Sequence, residues 1–152
     1  MDASDGTIRE ATAADAVATA ELWLRSRHAA PGVPSPAQSD EDVHAWFQDV
    51  VVPAGGVWVV GHGSVLEAMM VLRRNWVEQL YVAPERLRRG YGSRLLRLAQ
   101  SSRSELALWT FEANTSARAF YERHGFAVDS AVSTGNEERA PALRYRWCKP
   151  LR

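Results

Sequence analysis

The chain has 152 residues, which is enough for one domain to bury a core without disulfides or a structural metal. Its formal net charge is +0 and its pI is near 6.9, so no global positive field favours nucleic acid or an anionic membrane. Cys148 is the single cysteine, no apolar run reaches the roughly 18 residues of a membrane span, and the N-terminus does not resemble a secretory signal, so we expect a cytoplasmic protein.

The N-terminal half predicts a strand, two helices and a hairpin. A short strand around Ile8 leads into a helix that begins near Thr12 or Asp15, and a loop rich in proline, glycine and serine follows. Ser39 or Asp40 can cap a second helix, DEDVHAWFQDVV, whose acidic first turn suits the helix dipole. The segments VWVVG and VLEAMMVL, separated by GHGS, predict two strands of a hairpin.

In the C-terminal half, strands alternate with helices. WVEQLYVAP is a third strand that stops at Pro84, because proline cannot donate to a strand ladder. LALWTF predicts a strand, NTSARAFYERHGF a helix that ends at Gly125, and LRYRWC a strand with one buried face. The segment YGSRLLRLAQSS lies between WVEQLYVAP and LALWTF. Its apolar residues recur at the spacing of a helix that packs on a sheet: Tyr91, Leu95, Leu98 and Ala99.

The stretch LRRGYGS, between the third strand and the next helix, has the features of an anion site. A helix is expected to begin near Gly92 or Ser93, and its first N–H groups have no internal partner. Glycines at 90 and 92 place no Cβ between these N–H groups and a diphosphate, and Arg88 and Arg89 add charge. The pattern matches neither a Walker loop nor a dinucleotide-binding fingerprint. By its own residues, the stretch is equally well a basic turn.

Two segments together resemble the GNAT superfamily of acyl-CoA-dependent N-acyltransferases. VEQLYVAPERLRRGYGSRLLRLA is similar to the family's acetyl-CoA motif of strand, phosphate-binding loop and helix, and LWTFEANTSARAFYERHGF is similar to its N…A…FYE…GF motif. The resemblance is specific from Val77 to Phe126 and looser over the rest. It implies a single α/β (α+β) domain over residues 1–152 with the GNAT fold, a mixed, mostly antiparallel sheet of six or seven strands flanked by helices.

The resemblance assigns the acetyl-CoA site residue by residue. Backbone amides of the loop bind the pyrophosphate, and the pantetheine arm lies along LYV like an added strand, through main-chain groups of Leu80 and Val82. The N–H of Val82 is the expected donor to the thioester carbonyl and its developing oxyanion. Asn114 matches an asparagine that often contacts the cofactor. The predicted cofactor-binding residues are therefore Leu80, Tyr81, Val82, Arg88, Arg89, Gly90, Tyr91, Gly92, Ser93 and Asn114.

One position departs from the family pattern. The family loop usually reads Q/R-x-x-G-x-G/A, and its first position here is Leu87. Because backbone groups hold the anion, we expect this departure to weaken cofactor binding little.

The predicted catalytic residues are Tyr121 and Glu78. Tyr121 matches the family's tyrosine near the cofactor sulfur, and its phenol can protonate the leaving thiolate. Glu78 is the predicted base for an alkylamine with a pKa of roughly 10, and in an alternating strand it shares a face with Leu80 and Val82. We expect direct attack of the amine in a ternary complex. Plainer roles remain open: a core tyrosine at Tyr121, an ion-paired strand residue at Glu78 and a helix N-cap at Asn114.

The partners expected are acetyl-CoA and a primary amine on a small molecule, peptide or protein. The acceptor pocket should be built by the two N-terminal helices, residues 31–38 and the segment STGNEERAP, where Glu137 and Glu138 could attract a cationic amine. A solvent-exposed loop is the equally good alternative for that segment. An acyl-CoA-binding sensor or interaction module of the same fold, without turnover, is the alternative from another class. We expect no metal, no nucleic acid and no membrane partner, and a homodimer is compatible with the sequence.

Overall fold

A seven-stranded sheet forms the centre of the structure. The computed structural model describes residues 6–62 and 65–151. The strands of the sheet in chain order are β1 (Thr7–Glu10), β2 (Val57–His62), β3 (Val65–Arg73), β4 (Trp76–Val82), β5 (Glu105–Phe111), β6 (Ala127–Val128) and β7 (Ala142–Cys148). They lie in the sheet in the order β1-β2-β3-β4-β5-β7-β6. Among these strands, β4 and β5 pair in parallel and the other neighbours pair antiparallel, which confirms the predicted mixed, mostly antiparallel sheet.

Four helices cover the two faces of the sheet. They are α1 (Ala16–Ala29), α2 (Asp40–Trp46), α3 (Tyr91–Ser102) and α4 (Thr115–Arg123). One apolar core lies under α1 and α2, and the other lies under α3 and α4. Within the part of the chain that the structure describes, none of the helices is both long and apolar enough to cross a membrane.

Local sequence signals account for most of these boundaries. Ser39 caps α2, because its Oγ accepts a hydrogen bond from Asp42 N at 3.1 Å. The helix then continues through a single π-helical segment, Phe47–Val51. Gly125 follows α4 with a φ of 89°, a conformation that glycine adopts without strain. The predicted alternation of β7 is also confirmed, with Leu143, Tyr145 and Trp147 buried.

The strands β4 and β5 separate after a single point of contact. Trp76↔Ala107 is the one paired position between them in the described residues, and Ala107 N donates to Asn75 O at 2.8 Å. Beyond that point β4 follows β3 while β5 follows β7, so the sheet opens in a V. The edge of β4 that faces β5 therefore makes no strand-to-strand hydrogen bonds over most of its length.

A β-bulge interrupts β4 at Glu78. The register to β3 passes from Leu72↔Val77 to Val71↔Gln79, which leaves Glu78 as an extra residue. The extra residue resets the alternation of side chains, so the expectation that Glu78 shares a face with Leu80 and Val82 is wrong. Glu78 instead pairs with Arg73, whose guanidinium also donates to Val51 O beneath α2.

Candidate active site

A cleft of about 480 Å³ occupies the V between β4 and β5. This volume is in the range of pockets that hold small molecules. The helix α4 closes one side of it, and two loops close the other. The cleft is lined by β4 residues 77–81, β5 residues 109–111, Asn114, Ala117 and Tyr121 near and on α4, and the loop residues Val33, Ser133, Gly135, Asn136 and Ala142.

The unpaired edge of β4 presents main-chain groups to this cleft. Ala83 N donates to Glu67 O on β3 at 2.8 Å, so its N–H points toward β3. Because N–H groups alternate along a strand, those of Leu80 and Val82 point away from β3. The carbonyl of Val82 accepts from Ser26 Oγ at 2.9 Å. Leu80 lines the cleft itself.

Tyr121 lies at the inner wall of the cleft. Its side chain is 8% exposed, and its ring packs against Phe120, Phe126 and Tyr145 with centroid distances of 5.3, 5.8 and 6.3 Å. Burial raises the pKa of Tyr121 far above its ordinary value of 10.0. The phenol is therefore protonated at neutral pH. Tyr121 is both a core residue and a cleft residue, so the two interpretations made from the sequence are compatible.

Asn114 has the plainer role that the sequence left open. Its Oδ1 accepts from Ala117 N at 3.2 Å, which makes it the N-cap of α4. Asn114 also lines the cleft. A contact between Asn114 and the cofactor stays a prediction.

Glu78 lines the cleft and is also ion-paired. Its carboxylate accepts from Arg73 at 3.1 Å, and its side chain is 42% exposed. The ion-paired interpretation is thus what the structure contains. The base role of Glu78 stays a prediction.

The loop between β4 and α3 is fixed by ion pairs in its first residues, and its last residues are exposed to solvent. A short 3-10 turn, Pro84–Arg86, is tied to the rest of the fold by two ion pairs, Arg86 with the buried Glu67 and Glu85 with Arg25. The next residues turn sharply, with φ of 66° at Arg88 and 85° at Gly90, and the side chains of Arg88 and Arg89 are exposed. The loop therefore brings the chain to α3 with its basic side chains in solvent.

The helix α3 begins at Tyr91, one or two residues before the predicted start at Gly92 or Ser93. Arg94 N donates to Gly90 O at 3.0 Å as the first intrahelical bond, so the N–H groups of Tyr91, Gly92 and Ser93 precede the helical ladder. A Cβ on Gly92 would lie 3.3 Å from Phe120 Cζ, whereas one on Gly90 would meet nothing within 4 Å. Gly92 therefore lets α3 approach α4, and Gly90 is required by its positive φ.

Gln79 and Trp109 are cleft residues that sequence reasoning did not single out. Trp23 Nε1 donates to Gln79 Oε1 at 3.0 Å, and because an indole N–H only donates, this contact fixes which end of the amide faces Trp23. Trp109 lines the cleft from β5 and is 48% exposed. A signal existed for Trp109, since it alternates with the buried residues Leu108 and Thr110.

The two segments predicted to form the acceptor pocket meet beside the cleft. Gln38 Nε2 donates to Glu137, which joins residues 31–38 to residues 133–140. Gly32 has a φ of 78° and packs so closely that a Cβ there would clash with Ala113 O, at the turn between β5 and α4. Among the residues that the structure describes, no group of three or more His, Cys, Asp or Glu side chains is arranged to hold a metal ion.

Comparisons with known proteins agree with this geometry. A family model described as the Acetyltransferase (GNAT) family matches residues 17–126. The chain is 29% identical over 143 residues to the peptidyl-lysine N-acetyltransferase YiaC of Escherichia coli (strain K12), covering 92% of this chain and 95% of that protein.

The fold is also similar to that of solved structures, two examples of which come from Escherichia coli and Thermoplasma acidophilum. Apo-form YjaB from Escherichia coli has a TM-score of 0.75 at 22% identity, covering 93% of this chain and 96% of that chain. The PaiA N-acetyltransferase from Thermoplasma acidophilum, in complex with coenzyme A, has a TM-score of 0.66 at 17% identity, covering 93% and 98%.

Proposed function

The chain belongs to the GNAT family and is an acetyltransferase, and on that premise we propose that it transfers the acetyl group of acetyl-CoA to the primary amine of a lysine side chain in a peptide or protein. The observation that carries the proposal is the open edge of β4, which lines the same cleft as Tyr121 and whose last residue, Val82, lies against Gly92 in the first turn of α3. The lysine acceptor is supported by the name of YiaC, a relative that matches nearly the whole chain.

The residues of the cleft fit acetyl-CoA, which supplies the activated acetyl group. An unladdered strand edge can pair with the amides of a pantetheine arm, as an added strand would. The N–H groups of Tyr91, Gly92 and Ser93 lie where the helix dipole favours negative charge, so they would bind the diphosphate. Exposed Arg88 and Arg89 would add charge around it. Asn114 would contact the arm from the start of α4.

The thioester carbonyl would accept a hydrogen bond from Leu80 N–H rather than from Val82 N–H. A Cβ on Gly92 would lie 3.5 Å from Val82 Cγ2, so Val82 sits against the first turn of α3, where the diphosphate would bind, and it is not among the residues that line the cleft. Leu80 is one alternation further along the strand and lines the same cleft as Tyr121. A donor at Leu80 would stabilise the oxygen on which charge develops during attack.

Tyr121 and Glu78 would handle the two protons of the reaction. The amine nitrogen would bond to the carbonyl carbon and the carbon–sulfur bond would break, while Tyr121 gives its proton to the sulfur and Glu78 takes a proton from the amine. Solvent would then carry the proton from Glu78 and return one to Tyr121, which restores both groups. Burial keeps Tyr121 protonated until it is needed, as its raised pKa requires. Direct attack needs both substrates in the cleft at once, and it needs no acyl-enzyme on Cys148, which is exposed near the C-terminus.

Two measurements on the purified protein test this proposal. Calorimetry should detect acetyl-CoA binding, and a thiol-release assay should show release that depends on a lysine peptide. Binding without acceptor-dependent release from any amine in a panel would favour the alternative, a non-catalytic acyl-CoA-binding module. A cytoplasmic location, a homodimer and the absence of metal and nucleic-acid partners remain predictions.

A further inference from the structure

Arg27 is a buried cation near the C-terminal end of α1 that contacts two loops at once. Its side chain is 7% exposed. One nitrogen, Nη2, donates to Pro34 O at 2.9 Å and lies 3.6 Å from Glu138 Oε2, whose side chain is 12% exposed. The guanidinium carbon lies 4.8 Å from the ring centroid of Trp23, a cation–π distance. Arg27 therefore joins segments that are about a hundred residues apart in the sequence.

The two loops that Arg27 joins border the acceptor side of the cleft. Pro34 follows Val33, and Glu138 lies two residues after Asn136; both Val33 and Asn136 line the cleft. We call the opening between residues 31–34 and residues 133–138 the acceptor mouth. Because one guanidinium contacts both of its sides, Arg27 restrains how far apart they stand, together with the contact between Gln38 and Glu137 at the exposed end of the loops.

Arg27 is also tied to the strand that should bind acetyl-CoA. Trp23, on whose ring the guanidinium stacks, donates to Gln79 on β4. Gln79 lies between Glu78 and Leu80, the residues proposed for the base and for the thioester contact. Contacts therefore run from Gln79 through Trp23 to Arg27. They fix the position of the acceptor mouth relative to the proposed reacting groups on β4.

The arrangement is costly for a purely structural contact. Arg27 Nε is buried and has no hydrogen-bond partner among the described residues, and Glu138 stands beyond hydrogen-bond distance. Well-packed apolar residues often stabilise a fold more than a buried ion pair of this kind does. What an apolar side chain cannot supply is a directional contact with Pro34 O and Glu138 together.

We propose that Arg27 is a positioning residue that holds the acceptor mouth and thereby determines the affinity for the amine substrate. It does so through Pro34 and Glu138, and it touches neither the acetyl group nor the amine. The inference rests on the proposed function, because it concerns the acceptor of that reaction.

Variants of Arg27 and Glu138 test the inference by kinetics with a lysine peptide and acetyl-CoA. Arg27→Gln should raise the KM for the peptide by about tenfold or more, since one partner of a buried pair is lost. The kcat and the affinity for acetyl-CoA should change by less than about threefold. Arg27→Lys, which keeps the charge but not the fork of donors, should recover part of the loss. Glu21→Gln is the control, because Glu21 lies on the same helix and is exposed.

A double-mutant cycle separates positioning from folding. The double variant Arg27→Gln, Glu138→Gln should raise the peptide KM by less than the product of the two single increases, because both substitutions act on one contact. We expect its KM to be about threefold or more below that product. Glu138→Gln lies in a loop, so it provides a folded variant if Arg27→Gln does not fold. Multiplicative effects, or a parallel loss of acetyl-CoA affinity and peptide affinity, would overturn the inference.

Hydrogen exchange decides the inference even if no amine is acetylated, an outcome that would overturn the proposed function instead. Exchange at residues 31–38 and 133–140 should be about tenfold faster in Arg27→Gln than in the unmodified chain, while exchange at residues 84–93 stays the same. Glu21→Gln should change the exchange of neither of the two loops. Unchanged exchange at both loops in Arg27→Gln would rule out the positioning role.

Discussion

Tyr121 has a ring that packs in the core and a phenol whose proton is available to the cleft. Its three aromatic neighbours fix the ring, and burial raises the pKa of the phenol. Because the raised pKa keeps the phenol protonated, its proton is present for the proposed acid role, and Tyr121 should not set the alkaline limb of the pH profile near its ordinary pKa of 10.0. The same environment explains why the packing pattern of α4 and the family motif both point to this residue.

Replacing Tyr121 with phenylalanine should remove the acid and leave the packing. We expect kcat to fall by about a hundredfold, the lower end of what a positioned acid contributes. The dissociation constant for acetyl-CoA, measured by calorimetry, should change little because the ring remains. An unaffected kcat would remove Tyr121 from the mechanism.

Replacing Glu78 with glutamine should change the pH dependence of kcat/KM. If Glu78 accepts the amine proton, the rate in the variant should lose the acidic limb that reflects ionisation of the carboxylate, or that limb should move to higher pH. Glu105→Gln is the matched control, since the side chain of Glu105 is also ion-paired and is exposed to a similar extent, but it lies at the start of β5, outside the cleft lining. An unaltered profile in Glu78→Gln would assign the base role to water or to another residue.

At the scale of the elements, periodicity in the sequence was sufficient for most helices and strands. The stripe from Tyr91 to Ala99 predicts which face of α3 packs on the sheet, and alternation from Leu143 to Trp147 predicts the buried face of β7. The bulge at Glu78 was not predictable in this way, because one inserted residue leaves the apolar pattern of a short strand almost unchanged. The face of the proposed base was therefore predicted wrongly.

The start of α3 gives the element-scale test of cofactor binding. Gly92→Asp should abolish acetyl-CoA binding, because it places a carboxylate beside the first-turn N–H groups and crowds Phe120. Gly55→Asn is the control, since Gly55 lies outside this loop, asparagine tolerates its positive φ, and a Cβ there would meet only Glu10 Oε2, at 3.9 Å. Calorimetry with both variants measures the difference. An unchanged affinity in Gly92→Asp would reject the assignment of this loop to the diphosphate.

The start of α1 depends on an ionised carboxylate. Asp15 accepts hydrogen bonds from both terminal nitrogens of Arg9 and from Thr12 N, each at 2.8 Å, and its pKa falls from 3.8 to about 2, chiefly through the Arg9 contact. A lowered pKa adds stability that is present above pH 3.8 and is lost as the pH falls to about 2.

Asp15→Asn should therefore destabilise the fold at pH 7 by about 1 kcal/mol, a value reduced because Arg9 is partly exposed. Urea denaturation at pH 7 and again near pH 3 measures the difference between the variant and the unmodified chain. That difference should shrink at the lower pH. A difference that stays constant with pH would show that the carboxylate charge of Asp15 does not contribute.

On the scale of the whole molecule, the cleft exists because β4 and β5 separate after Trp76 and Ala107. Strand propensity does not report how far two strands stay paired, so this opening could not be deduced from the residues of β4 or β5. The resemblance to the GNAT family implied a cofactor site at β4 and α3, and it did not identify the contacts that Gln38 and Arg27 make at the acceptor side. Such contacts depend on loops that are distant in sequence and irregular in structure.

Initial rates of thiol release over a matrix of acetyl-CoA and lysine-peptide concentrations test the central claim most directly. Direct attack in a ternary complex predicts that release requires both substrates and that the double-reciprocal lines intersect. Parallel lines would indicate an acyl-enzyme and would contradict direct attack. Release that is the same with and without the peptide would contradict the assignment of the cleft to N-acetyl transfer.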